Sequence, residues 1–274
     1  MFIGIFAFPY KLETLAFVQD AMACISASGH AYALCSQLAS ALNMPYDEPA
    51  YNAVSLMVAA GGDGAFLAAQ QHAGPRGISV LCVHLGRVGY LSEARPEAWR
   101  EAYDAALDGS AAIEDRLMLS ASVEGETIGH ALNDVVLNRV GRRILSFEVH
   151  AGEQALGRYA ADGLIIATPT GSTAYALSCG GPIVHPDVAC IILAPISPHT
   201  ISARPFVLPV SQPLRVTVLD PPEGAMLAMD GQGDRVVRAG EVLTACLSPH
   251  KARFIRTRPR NFYRLLREKL TELS

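Results

Sequence analysis

The sequence predicts a two-part α/β protein: a Rossmann-like N-terminal domain on a mainly parallel sheet, followed by a β-rich sandwich domain. Three observations carry this expectation. Short apolar runs alternate with helical patterns up to about Arg116, the signature of βα units. Beyond Arg116 the pattern changes to alternating strands separated by Gly- and Pro-containing turns. Helical spacing returns only in the last segment. The expected divisions are an α/β domain over 1–115, a β-sandwich domain over 116–250, and a tail helix within 251–274 that packs back on the N-terminal domain.

Each element follows from local pattern. Phe2 to Phe8 reads as a first buried strand, and Leu12, Leu15, Val18, Met22 and Ile25 as the apolar face of a helix that Gly29 ends. Val54 to Ala60 and Ile78 to Val83 read as buried strands, with a helix from Ala65 to Ala73 between them. Pro96 is expected to begin a helix that Gly109 stops. Leu117 to Val123, Asp134 to Leu137, Phe147 to His150 and Leu214 to Leu219 alternate as strands. Asn261 to Leu273 is helical through Phe262, Leu265, Leu266 and Leu270.

Half of the 274 residues are apolar, enough for more than one core. The net charge of -4 argues against a nucleic-acid or anionic-membrane partner, so a polyanionic ligand needs a local basic site. The apolar run after Met1 lacks the charged leader of a signal peptide and the length of a membrane span, which predicts a cytoplasmic protein. The six cysteines show no C-x-x-C pair or zinc spacing and are expected to be reduced core residues. The eight histidines are dispersed, and each is expected to be a satisfied structural residue.

The sharpest motif is Gly61-Gly62-Asp63-Gly64, between a buried strand and a helix. Glycines there let the backbone approach a phosphate, and the helix start adds free N–H groups and the positive end of its dipole. An Asp beside phosphates makes sense if it handles a metal ion or takes a proton from an attacking hydroxyl. The same tetrapeptide also suits a tight turn with a capping Asp. No G-x-x-x-x-G-K-[ST] occurs, and no G-x-G-x-x-G follows the first strand. A second glycine turn, His84 to Tyr90, is placed to line the same crevice or to serve as an ordinary βα loop. Asp162 to Tyr175, running on through Ser178 to Gly180-Gly181-Pro182, is a strand entering a Thr/Ser/Gly turn with hydroxyls, amides and one ring for a nucleoside. Asn133-Asp134 suits two ribose hydroxyls, and Asp230-Gly231-Gln232 offers a similar set; either is also consistent with turn chemistry.

In this order the segments resemble the ATP-NAD kinases, from about Gly61 to about Gln232. The most specific part is Asp162 to Pro209, with Gly180-Gly181-Pro182-Ile183-Val184-His185-Pro186 and Pro195-Ile196-Ser197-Pro198-His199-Thr200. The resemblance implies a two-domain kinase with its site between the domains, acting on NAD with ATP; the sequence leaves open whether polyphosphate replaces ATP, and γ-phosphoryl transfer calls for Mg²⁺ or another divalent metal to neutralise its charge. It further implies a homodimer or homotetramer. Carried over by position, Asp63 is the general base that takes the proton of the adenosine ribose 2′-hydroxyl, and Gly62 and Gly64 lie against phosphates. Asn133 and Asp134 match the NAD-binding pair; Asp162, Thr170, Thr173, Ala174, Tyr175, Ser178 and Gln232 match NAD-contacting positions, and Arg143 would add positive charge. Two positions depart from the family pattern: Ala65 where Thr is usual, and Ala160 where a basic residue is common.

Two rivals stand beside this reading. Diacylglycerol and sphingosine kinases also carry a GGDG turn, but Asp162 to Tyr175 suits a nucleotide better than an acyl chain, and no amphipathic basic surface helix is evident. A non-catalytic NAD(P)-sensing module would bind without turnover.

Overall fold

The structure, a computed structural model, describes all residues except 87–88, 200–202, 222 and 273–274. Arg87 and Val88 of the second glycine turn, Thr200 and the tail position Leu273 therefore lie outside the described residues. The chain forms two compact units, Met1–Asp115 with Ala252–Ser274, and Arg116–Lys251.

In the first unit, β1 (Phe2–Ala7), β2 (Ala31–Leu34), β3 (Leu56–Gly61) and β4 (Ser79–His84) pair in parallel in the order β2-β1-β3-β4. Helices α1 (Leu12–Ala27), α2 (Ser36–Ala41), α3 (Glu48–Asn52), α4 (Asp63–Ala73) and α5 (Trp99–Leu107) belong to the same unit. The centre of the sheet is fully apolar; Met57, Val58, Ala59 and Ala60 of β3 have no exposed surface, as expected for strands covered on both faces.

Two local expectations need correction. The buried face of α1 is Thr14, Phe17, Val18, Ala21 and Ile25, a stripe at helical spacing, whereas Leu12 lies off it and is 85% exposed. Pro96 begins no helix. The Ala98 amide donates to Arg95 O across a turn in which Pro96 is the second residue, and α5 starts only at Trp99.

The second unit contains β5 (Ala112–Val123, which begins in the first unit), β6 (Glu126–Ala131), β7 (Asp134–Arg139), β8 (Leu145–Ala151), β9 (Gln154–Ala161) and β10 (Gly163–Ala167). It continues through a 3₁₀ turn (Thr170–Thr173), α6 (Tyr175–Ser178), β11 (Cys190–Ile196), β12 (Phe206–Pro209), β13 (Leu214–Asp220), β14 (Ala225–Met229) and β15 (Gln232–Val237). The long strand β16 (Val242–Arg256) ends the unit and gives its last residues, Ala252–Arg256, to the first unit, where α7 (Phe262–Glu272) follows.

One antiparallel sheet of the second unit runs β12-β11-β10-β7-β14-β15. The other pairs β16 with β13, β13 with β8, β8 with β9, and β5 with β6. Their inner faces share one core, with Phe147, Val216 and Leu243 from one sheet and Leu137, Leu164 and Leu193 from the other. On the far face, Ile165 and Ala167 of β10 pack with Ile192, Ala194 and Ala176 of α6. Strand β10 is thus buried on both sides, which accounts for its unbroken apolar run.

The cysteines are all unpaired, but only Cys35, Cys82 and Cys190 are buried; the other three are half-exposed. His84 departs from the expectation of satisfied histidines: it is 2% exposed, and among the described residues neither ring nitrogen meets a partner at full hydrogen-bond geometry. Among the described residues no helix is long and apolar enough to cross a membrane.

Candidate active site

The first cluster stands at the carboxyl ends of β3 and β4. In-register pairing ends with Gly61 opposite His84, so the segments that follow these neighbouring strands leave the sheet side by side. Gly61 adopts φ 145°, where side chains are strained, and a Cβ there would meet Ala65 Cβ at 2.8 Å. Ala65, the position that departs from the family's Thr, is buried. Gly62 caps α4 and Asp63 is its first residue; the Ala65 and Phe66 amides donate back to Gly62 O, so the Asp63 and Gly64 amides, which precede the first intrahelical acceptor, are the ones placed for an anion.

The half-buried Asp63 carboxylate does not cap its own helix. Oδ2 accepts the Tyr90 amide at 2.8 Å and Oδ1 the Leu91 amide at 3.2 Å. Among the described residues, the loop after β4 holds this carboxylate by these two backbone amides. Beside it lies a cavity of about 260 Å³ lined by Tyr10, Lys11, Gly61, Gly62, Gly64 and Leu85. Gly62 and Gly64 have open space where a Cβ would stand. Tyr10 stacks on Phe8 with ring centroids 5.5 Å apart. Lys11 is a local cation at this cavity that the sequence reading did not single out.

The second cluster is built in the antiparallel unit around the start of β7. Asp230, on a turn with φ 51°, accepts the amides of Leu132, Asn133 and Asp134 at 2.9, 2.7 and 3.2 Å, and its own amide donates to Asp134 O. Asn133 is half-buried and Asp134 buried. Burial, and secondly the charge of Asp230, raise the Asp134 carboxyl from 3.8 to about 7.

The turn after β10 docks on the same backbone. Thr168 N donates to Asn133 O at 2.8 Å, Thr168 Oγ1 donates to Leu132 O at 2.6 Å, and the Gly171 amide donates back to Thr168 Oγ1 at 3.1 Å. A Cβ on Gly171 would lie 2.1 Å from Asn133 O, so this contact requires glycine. Ser172 is fully buried and bonds Val184 through its hydroxyl, which accepts the Val184 amide and donates to its carbonyl.

Thr170 and Thr173 remain on the outer side, with Thr170 Oγ1 accepting from Arg116 at 3.4 Å. Ala174 is half-buried, Ser178 exposed, and Tyr175 42% exposed. Asp162 pairs with Arg139 at 2.7 Å. Gln232 is exposed at the start of β15. Arg143, expected to supply charge, is exposed and pairs with Asp220 at 3.3 Å. Ala160 gives its carbonyl to the His199 amide.

Sequence reasoning missed the work of Thr168, Gly89 and the 90–91 amides, and it left Asp230 open between a ligand group and turn chemistry. Only the Gly89 spacing within a second glycine turn hinted at any of these.

A glycine corner holding one clamped carboxylate, and a hydroxyl- and amide-rich corner beside a buried acid pair, suit the chemistry of a nucleotide-dependent phosphotransferase. Comparison with known proteins is specific. The family model for the ATP-NAD kinase N-terminal domain matches residues 22–111, and that for the C-terminal domain residues 132–257. The NAD kinase of Carboxydothermus hydrogenoformans is 40% identical over 226 residues, 81% of each chain. That of Symbiobacterium thermophilum is 38% identical over 256 residues, 90% of each. Among solved structures, an NAD kinase from Archaeoglobus fulgidus in complex with ATP matches with a TM-score of 0.79 and 25% identity, covering all of both chains. Yeast NADH kinase complexed with NADH shares the fold with a TM-score of 0.90 at 23% identity, over 99% of this chain and 87% of that one. The chain belongs to the ATP-NAD kinase family.

Proposed function

We propose the following course for the reaction of this enzyme, an ATP-dependent kinase of NAD. Asn133 and Asp134 hold ribose hydroxyls of NAD, and Tyr175 offers its exposed ring to a base. Thr170, Thr173, Ala174, Ser178, Asp162 and Gln232 supply further contacts, with Arg143 adding charge. Gly62, Gly64 and the first amides of α4 take phosphate oxygens, with Lys11 as a neighbouring cation. Asp63 accepts the proton of the adenosine ribose 2′-hydroxyl as that oxygen bonds to the γ-phosphorus of ATP. The bond from the γ-phosphorus to the bridging oxygen breaks, and ADP leaves, giving NADP. The clamped carboxylate supports this reading most directly: two amides fix Asp63 in one orientation, and each oxygen keeps a lone pair for the proton.

The residues present also fit a divalent cation. Mg²⁺ takes most of its ligands from phosphates and water, so it needs only one or two protein carboxylates; Asp63 is the carboxylate at this corner. When bound with ATP, the ion neutralises charge on the transferring phosphoryl group. Excess chelator is expected to abolish turnover, and full activity in its presence would refute the requirement.

We further infer a cytoplasmic homodimer or homotetramer. Strand β12, at the edge of its sheet with Phe206 and Val207 exposed, supports self-association; sedimentation as a monomer at micromolar concentration would contradict it. The reaction itself is tested by offering NAD, NADH or diacylglycerol with Mg-ATP or polyphosphate. The expected product is NAD phosphorylated at the 2′ position. Lipid phosphorylation alone, or binding without turnover, would overturn the assignment.

A further inference from the structure

We propose that Arg256 is a positioning residue for the reaction, setting the Asp63 carboxylate through the backbone of Leu91. The inference rests on Asp63 being the general base.

Strand β16 joins the parallel sheet of the first unit beside β4, with Arg253 opposite Ser79 and Phe254 opposite Val80. Arg256 lies two residues further on, on the strand neighbouring the one whose following loop holds Asp63. Its side chain is 6% exposed. One nitrogen, Nη1, donates to Leu91 O at 3.1 Å and to Glu93 Oε2 at 3.3 Å, while Nε donates to Glu114. The guanidinium carbon lies 4.9 Å from the centroid of the Phe254 ring. Glu93 is itself 4% exposed, and its other oxygen accepts the Thr257 amide and hydroxyl, both at 2.8 Å.

Leu91 is therefore gripped at both ends of one residue: its carbonyl by Arg256 and its amide by Asp63. A guanidinium donor fixed by two carboxylates and a ring has little rotational freedom, so it holds the loop at a set distance from α4. The ion pair is buried, so desolvation offsets much of its Coulombic gain; its directional hydrogen bonds to Glu93, Glu114 and Leu91 O hold the guanidinium in one arrangement. Here the arrangement fixed is the amide pair on which the base depends. A shift of about 1 Å in a reacting group is enough to cost about 100-fold in rate.

The test is a double-mutant cycle in the full-length enzyme, with kcat and KM for NAD measured for the parent, Arg256→Met, Arg256→Lys, Asp63→Asn and the Asp63→Asn/Arg256→Met pair. Arg256→Met is expected to lower kcat about 10- to 100-fold while leaving KM for NAD within about twofold. Arg256→Lys should recover part of the loss. In the Asp63→Asn background the Arg256 change should cost less than about twofold, because nothing remains to position. A parental kcat in Arg256→Met, or an undiminished loss on top of Asp63→Asn, would overturn the proposal. Near-parental turnover in Asp63→Asn alone is a separate outcome that removes the base and the clamp's purpose with it. Should Arg256→Met fail to fold, Glu93→Gln loosens the guanidinium without removing it. It is then expected to lower kcat about threefold to tenfold with the same dependence on Asp63, and independence from Asp63 would overturn the clamp.

Discussion

A Cβ built on Gly89 would lie 2.0 Å from Oδ1 of Asp63 and 2.6 Å from Oδ2, so the carboxylate occupies the space that any other residue at position 89 would need. The next two amides are the ones that hold it. Gly89→Ala must push Asp63 out of its seat. Its kcat should fall about 100-fold, the cost of a misplaced reacting group, while NAD affinity stays within about twofold. Steady-state kinetics with a calorimetric NAD titration checks this; unchanged kcat would show that the seat does not matter.

Thr168 ties the Leu132 bend to the Gly171 turn of the second unit with one buried hydroxyl. Thr168→Val keeps the shape and removes the hydroxyl, leaving Leu132 O without this donor and the Gly171 amide without this acceptor. The expected loss is about 1–3 kcal/mol in denaturant unfolding. A loss below about 0.5 kcal/mol would contradict the accounting.

Asp134 makes stability depend on pH. Its carboxyl is raised in the folded protein from 3.8 to about 7, first by burial and then by Asp230. The folded state thus binds the proton more tightly than the unfolded chain, so the contribution is complete below pH 3.8 and is lost as pH rises through about 7. Asp134→Asn removes that dependence. Relative to the parent, the variant should gain about 2–3 kcal/mol between pH 5 and pH 8 in chemical denaturation. Parallel pH profiles would contradict the raised value.

Much of this was legible from the chain because the informative signals were local. The apolar runs of β3 and β4, the glycines around Asp63 and the hydroxyls after β10 all announce themselves within a few residues. What escaped was carried by distant backbone. The Asp63 seat consists of amides 27 and 28 residues away in sequence, and amides leave no residue signature. Asp230 holds the Asn133-Asp134 backbone from across 96 to 98 residues, so its local context alone left a ligand group and turn chemistry equally open. The face of α1 was misread because Leu12 is apolar, while Thr14, which is buried, is not. Pro96 was read as a helix start because proline suits both the first helical position and the second residue of a turn, and only the Arg95–Ala98 hydrogen bond distinguishes them.

The most direct test is the turnover of Asp63→Asn at saturating NAD and Mg-ATP, with NAD affinity measured on the same preparation. Asparagine keeps the side chain's shape and an oxygen for one of the two loop amides but cannot take the proton. The expected result is a fall in kcat of about 10² to 10⁴ with NAD affinity within about twofold of the parent. Turnover near the parental rate would contradict Asp63 as the base, and with it the route proposed for phosphoryl transfer.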